Sequence, residues 1–225
     1  MADYPALIKK ILVFFPLAFV AGGIMLFVPA GTLDYWQAWL FLAAMFAPVF
    51  FVCAYFLKND PDFLERRLKF REKGKQQRKI IDASKVIFFI AFLVPGLDRR
   101  FGWSAVPSEL VVFADIVFLL GYFLTFMVFN QNRFAGRTVE IFKNQKLVST
   151  GLYSVVRHPM YSAQLLVYLS VPIALGSFWA LLPFLAMPVI LVYRLLDEEK
   201  LLMKKLAGYK AYCKKTPYRL IPFVW

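Results

Sequence analysis

The residues best equipped for chemistry stand apart in sequence but belong together in topology. The stretch GLYSVVRHPMY, residues 151–161, holds the single histidine of the chain, His158, between Arg157 and Pro159. Further on, in RLLDEEKLL, Arg194 and Glu198 are four residues apart, so on a helix they share a face, while Glu199 points elsewhere. His158 could cap or pack where a loop meets a helix, or it could serve a ligand. Arg194 and Glu198 could form a juxtamembrane ion pair, or hold opposite ends of a polar ligand. Residues 162–196, which begin just after His158 and reach just past Arg194, are predominantly apolar, too long for one membrane crossing and right for two packed helices with a turn at Gly176, Ser177, Phe178 and Trp179. Such an antiparallel hairpin returns Arg194 and Glu198 to the side on which His158 stands, so the three can share one site.

Composition sets the medium in which that site works. Hydrophobic residues make up 60% of the 225, and mean hydropathy is +0.61, more than a soluble core requires. The fold class expected is an all-α integral membrane protein. A formal charge of +13 lies between apolar runs rather than along one polar face, which points to anionic lipid headgroups and away from nucleic acid. Cys53 and Cys213 have no CxxC or metal-ligand spacing, so neither a structural disulfide nor a metal site is expected.

A hydrocarbon core about 30 Å thick takes about 20 helical residues to cross. Residues 11–29 qualify and read as a retained span rather than a signal peptide, since no convincing small-residue cleavage site follows. Residues 36–57 form a second span, entered through Tyr35 and Trp36. The third is the weakest: its fully apolar part is only 86–97, and a full crossing must begin near Ile80 and take in Asp82, Ser84 and a snorkelling Lys85. A tilted or re-entrant segment is the alternative, leaving five spans instead of about six. Residues 110–129 form the fourth and contain Asp115, read as a buried carboxyl hydrogen-bonded within the bundle or lying near the interface. With the hairpin the total is six, and 25 of the 27 lysines and arginines then fall on one side, as the positive-inside rule demands. Both termini and the site are expected on the cytosolic side.

The polar connections are short. Residues 58–79 read as a charged helix or turn that touches anionic lipid. Within 130–161, Thr138–Phe142 is β-branched and aromatic, KNQK is turn-forming, and STG breaks the chain before an interfacial segment. The tail begins as a helix leaving the membrane; Gly208 interrupts it, a short aromatic helix follows, and Pro217 and Pro222 end regular structure. Two regions result: N-terminal transmembrane helices with a basic loop over 1–129, and a C-terminal region over 130–225.

That second region, with QKLVSTGLYSVVRHPMYS, the hairpin, RLLDEEKLL, GYKAYC and YRLIPFVW in order, resembles the isoprenylcysteine carboxyl methyltransferase family, including its many bacterial members of unassigned substrate. The resemblance implies a membrane-embedded S-adenosylmethionine-dependent methyltransferase, in a bacterial inner membrane, with no Rossmann domain. It assigns Gln145, Lys146, Leu147, Val148, Tyr153, His158, Pro159, Met160, Tyr161 and Glu198 to the cofactor, and Arg194 to orienting the substrate. The chain is one residue longer than the eukaryotic members between Leu202 and Gly208, which loosens the transfer of roles to Tyr209, Tyr212 and the final PF.

The implied chemistry suits these residue types. A carboxylate can bind an ammonium or ribose hydroxyls, and aromatic rings hold adenine and tolerate a sulfonium. An accepting carboxylate needs no general base, so positioning and desolvation are what the protein supplies, with Arg194 orienting the acceptor. An amine or thiol acceptor would need a base, for which His158 or Glu198 would be the candidate. The expected partners are a lipophilic or prenylated substrate, entering laterally from the bilayer, and membrane lipid. Two other readings share part of the signature: a phospholipid N-methyltransferase, which differs in the acceptor, and membrane sterol reductases, which bind NADPH and have a similar tail and RHPxY-like element.

Overall fold

Each long apolar run becomes a helix, because backbone polar groups in hydrocarbon have to be satisfied within their own segment. The computed structural model describes residues 4–68, 75–136 and 145–225, and these contain helices and loops but no strand. The helices are α1 (Tyr4–Ala30), α2 (Trp36–Asn59), α3 (Pro61–Arg67), α4 (Lys75–Phe101), α5 (Ser108–Gln131), α6 (Leu152–Val155), α7 (Pro159–Ala174), α8 (Leu181–Phe184), α9 (Ala186–Lys205) and α10 (Tyr209–Lys215). Of these, α1, α2 and α5 are long and apolar enough to cross a membrane by length and composition. Leu12, Phe113, Ile116 and Val189 lie exposed on the outer face, where lipid replaces water as solvent. The protein is an all-α integral membrane protein. Residues 138–142, read as β-branched and aromatic, lie outside the described residues.

The weakest expected span is a continuous helix. α4 has 27 residues, about 40 Å at 1.5 Å per residue, so the re-entrant alternative gives way to an unbroken rod. Lys85 Nζ holds Asp82 at 2.7 Å near its start. Asp115 departs from the hydrogen-bonded reading. It is buried, yet neither carboxylate oxygen has a hydrogen-bond partner, because the core around its neighbours Ala114 and Phe118 is built from hydrophobic side chains.

The hairpin forms as α7, a turn, α8 and α9. Pro188 has no N–H and sits in the first turn of α9, where none is needed, which lets the returning arm restart after Leu185. Polar groups fasten the turn at the end of the bundle away from His158. The buried Asp98 carboxylate accepts from Ser104 N at 2.7 Å, from Ser104 Oγ at 2.6 Å and from Ser177 Oγ. Ser177 Oγ accepts in turn from Ala180 N at 3.1 Å, and Tyr35 donates its hydroxyl to Leu175 O. The hairpin turn is thereby tied to the α4–α5 connection and to the start of α2.

Two glycines let helices touch backbone to backbone. A Cβ on Gly96 would stand 2.6 Å from Leu26 O and drive α4 off α1. A Cβ on Gly121 would stand 2.7 Å from Val167 Cγ2 and 2.9 Å from Ala163 O, separating α5 from the first arm of the hairpin. Gly121→Ala should therefore cost about 1–3 kcal/mol, the usual range for overpacking, in a thermal or denaturant unfolding experiment in detergent micelles. Gly23→Ala, where the nearest neighbour is Phe27 Cδ2 at 3.8 Å, should leave stability unchanged or slightly raised.

Candidate functional site

Two consecutive glutamates on α9 go to different places. The buried stripe of the helix runs Met187, Leu191, Leu195, Glu199 at intervals of four, so Glu199 is carried inward with the apolar residues. It meets Arg157 Nη1 at 3.0 Å, Arg219 Nε at 2.8 Å and His158 Nε2 at 3.3 Å. Burial acts to raise its carboxyl pKa, but hydrogen bonds from His158 and Arg219 and the charges of His158 and Arg157 outweigh that effect. They hold it at about 2 against an ordinary 4.5. Glu199 is therefore an ionised hub.

The hub organises the chain around it. Arg157 Nη2 donates to Pro217 O at 3.0 Å, and the backbone N–H groups of Arg157 and His158 donate to Tyr218 O and Arg219 O at 2.9 and 3.0 Å. Residues 217–220 thus run beside residues 157–158, and Ser162 Oγ extends the seam by donating to Leu220 O at 2.6 Å. His158 occupies the N-cap position of α7, but its side chain makes no capping hydrogen bond. Its Nε2 faces Glu199 and the Tyr209 hydroxyl, the latter at 3.4 Å. The ring belongs to the hub and does not cap the helix.

Glu198 lies at the edge of the same stripe and faces a cleft. Tyr161 donates its hydroxyl to Glu198 Oε2 at 2.6 Å and accepts from Arg194 Nε at 3.3 Å, so one phenol links the arginine to the carboxylate. The cleft encloses about 850 Å³, its open mouth included. Every residue assigned from sequence lines it: Gln145, Lys146, Leu147 and Val148 on one wall, Tyr153, His158, Pro159, Met160 and Tyr161 at the base, and Arg194 and Glu198 on α9. The lining brings charged and amide side chains together with aromatic and apolar ones, the combination by which small-molecule sites orient a ligand.

Other lining residues were not assigned from sequence. Tyr209 and Tyr212, to which roles transferred loosely, both stand on the wall, and Asn132 and Arg157 join them. Tyr212 donates to Tyr153 O at 2.7 Å, and Asn132 Nδ2 donates to the Tyr153 hydroxyl at 2.8 Å. Burial pushes the Tyr153 hydroxyl up to about 12, the Asn132 bond opposing it and the Glu198 charge adding to it. Burial, reinforced by Glu199, likewise moves Tyr209 well above its ordinary range. These phenols stay protonated at neutral pH, as hydrogen-bond donors rather than bases. The sequence reading set His158 against Glu198 and Arg194; all three line the cleft, but the direct partner of His158 is Glu199. The stripe at 187, 191, 195 and 199 was the available signal for it.

Removing the hub charge should be costly, because two arginines would be left facing a neutral group. Glu199→Gln should lose about 3–5 kcal/mol of stability, the usual cost of breaking a buried pair. The acid dependence has a definite sign. A carboxyl held lower in the folded chain than in the unfolded one favours folding fully above about 4.5, and this contribution is lost as pH falls toward about 2. Unfolding of the wild type followed by circular dichroism should show that added acid sensitivity over this window, and Glu199→Gln should not.

Comparison with known proteins matches this part of the chain. The family model described as phospholipid methyltransferase matches residues 110–209, from α5 to the first residue of α10. The chain is also 33% identical over 91 residues to Delta(14)-sterol reductase TM7SF2 of Mus musculus, a stretch that is 39% of this chain and 22% of that protein. The chain thus spans about a fifth of the length of this relative. Over residues 110–209, which supply nearly all of the cleft, the chain is similar to the phospholipid methyltransferases, a family of membrane methyltransferases.

Proposed function

We propose that the cleft binds S-adenosylmethionine and that the protein methylates a lipophilic acceptor, a carboxylate of the isoprenylcysteine type. The observation that carries this reading is the joint lining of one cleft by Glu198, Arg194, four tyrosines and residues 145–148. The donor set fits the cofactor: a carboxylate for its ammonium or ribose hydroxyls, and phenol rings for its adenine and its sulfonium. Arg157 Nε is buried without a hydrogen-bond partner at this wall, a donor suited to the amino-acid carboxylate. When bound, S-adenosylmethionine supplies an activated methyl group for in-line displacement.

The chain's own residues orient and desolvate. Arg194, held by the Tyr161 hydroxyl, presents its guanidinium to an accepting carboxylate. His158 Nε2 is directed at an ionised Glu199, which leaves that nitrogen poorly placed to take a proton from substrate, and a carboxylate acceptor requires none. Room for a lipophilic tail lies next door. A second, larger cavity of about 1270 Å³ on the same measure opens among α2, α4, α5 and α7, walled by Phe41, Phe56, Phe118, Phe126, Phe129 and Phe184. It reaches Gln164, three residues beyond Tyr161 on α7.

Two other readings each have one observation in their favour. The family match favours an amine acceptor on a phospholipid, and the likeness to Delta(14)-sterol reductase favours NADPH in the cleft. Equilibrium binding of radiolabelled S-adenosylmethionine and of NADPH to purified protein separates methyltransferase from reductase. Labelled-methyl transfer to a prenylcysteine and to phosphatidylethanolamine then separates the acceptors. Glu198→Ala should abolish S-adenosylmethionine binding, whereas Arg194→Ala should retain binding and lose transfer; equal loss in both assays by both variants would reject this division of roles.

A further inference from the structure

The chain beyond the hub forms an apolar knob whose side chains remain largely exposed. Residues 217–220 lie along residues 157–158 and Leu220 O is bound by Ser162, so the following residues emerge beside the first turn of α7. There the backbone turns on itself: Leu220 N and Ile221 N donate to Trp225 O at 2.9 and 3.1 Å, and Val224 N and Trp225 N donate to Ile221 O. The turn displays its side chains outward. Phe223 is 87% exposed, Val224 74% and Ile221 47%. Phe223 also has φ of +64°, a left-handed conformation unfavourable for a residue with a Cβ, and its phenyl ring stays largely exposed although it meets the Tyr218 ring, centroids 5.4 Å apart.

We infer that residues 221–225 are an interfacial anchor that seats in the headgroup–acyl boundary of the bilayer and so holds residues 217–220 against the cleft. The occupant follows from place and chemistry. The knob adjoins the first turn of α7, at the end of the membrane bundle that carries the cleft. Arg219 lies over the Trp225 ring at 5.1 Å, and Lys214 and Lys215 are exposed just upstream, which gives the apolar turn a cationic collar suited to anionic headgroups. The distribution of tryptophan agrees. Trp36, Trp39, Trp103 and Trp179 are all exposed at the far end of the bundle, at the start of α2, before α5 and in the hairpin turn. Trp225 supplies the matching ring at the end that carries the cleft, and tryptophan concentrates at both membrane–water boundaries.

The inference depends on the membrane reading of the bundle and not on what the cleft binds. Its consequence for the cleft is mechanical: anchoring residues 221–225 restrains the segment whose carbonyls hold the Arg157 and His158 amides. The test uses the full chain in vesicles of phosphatidylcholine and phosphatidylglycerol. Tryptophan emission of wild type minus Trp225→Phe isolates the Trp225 signal, and the phenyl ring keeps an aromatic group in place. Lipid brominated near the headgroup should quench most of that difference signal, and aqueous acrylamide should quench little of it. Quenching by acrylamide alone, or by neither agent as when a second copy covers the knob, overturns the inference. In a second measurement, Phe223→Ser/Val224→Ser should speed hydrogen exchange severalfold in peptides containing Arg157 and His158, leaving peptides around Asp98 and Ser104 unchanged. Unchanged exchange at both places overturns the mechanical link.

Discussion

An anion buried among cations at the mouth of the bundle is the constraint on which the cleft depends. Glu199 reaches the protein interior because it occupies the last position of a stripe otherwise made of Met187, Leu191 and Leu195. A lone carboxylate there would be prohibitive, and two lone arginines equally so; together with His158 they satisfy one another. The three cationic or titratable partners come from two distant segments, the entry to α7 and the tail after α10. Their meeting is what brings the tail alongside residues 157–158 and closes the wall carrying Tyr209 and Tyr212.

The rest of the bundle delivers the two arms of the hairpin to that meeting. The Asp98, Ser104 and Ser177 cluster pins the turn at one end, and Glu199 ties the arms together at the other. Between the two ends, the bare backbone of Gly121 lets α5 lie directly on the first arm. α5 also lines the large aromatic cavity, so the helix that steadies the hairpin is also a wall of that space. A polar cleft and an apolar chamber both touch the first half of α7, the cleft at Tyr161 and the chamber one turn further on at Gln164.

Much of the fold was legible because membrane helices follow from length and apolarity. The hairpin at 162–196, the break at Gly208 and the short aromatic helix after it all appear in the structure. The weak third run formed a full rod because α1 receives it through Gly96, a tertiary contact that composition does not express. The cleft was legible where motif residues were close in sequence, as in residues 145–161. It was not legible at Arg157, Arg219 and Glu199, whose ion pairs join residues 20 and 42 positions apart. Asp98 was hidden in the same way, since its partners are a loop serine and a serine in the hairpin turn. Asp115 misled because a carboxyl in an apolar run invites a partner, and α5 brings it none.

The four-residue rhythm of α9 also fixes where that helix can stand along its own axis. A slide of one turn, about 5.4 Å, would carry the helix almost onto itself as far as its apolar side chains are concerned. Leucine would replace leucine along the stripe, and packing alone would discriminate poorly between the two positions. At the charged end the exchange is not neutral. It would bring Leu195 or Met203 to the place of Glu199 and leave Arg157 and Arg219 facing a side chain with no charge. One carboxylate therefore acts as a stop that selects a single register for a helix whose other buried contacts are nearly periodic.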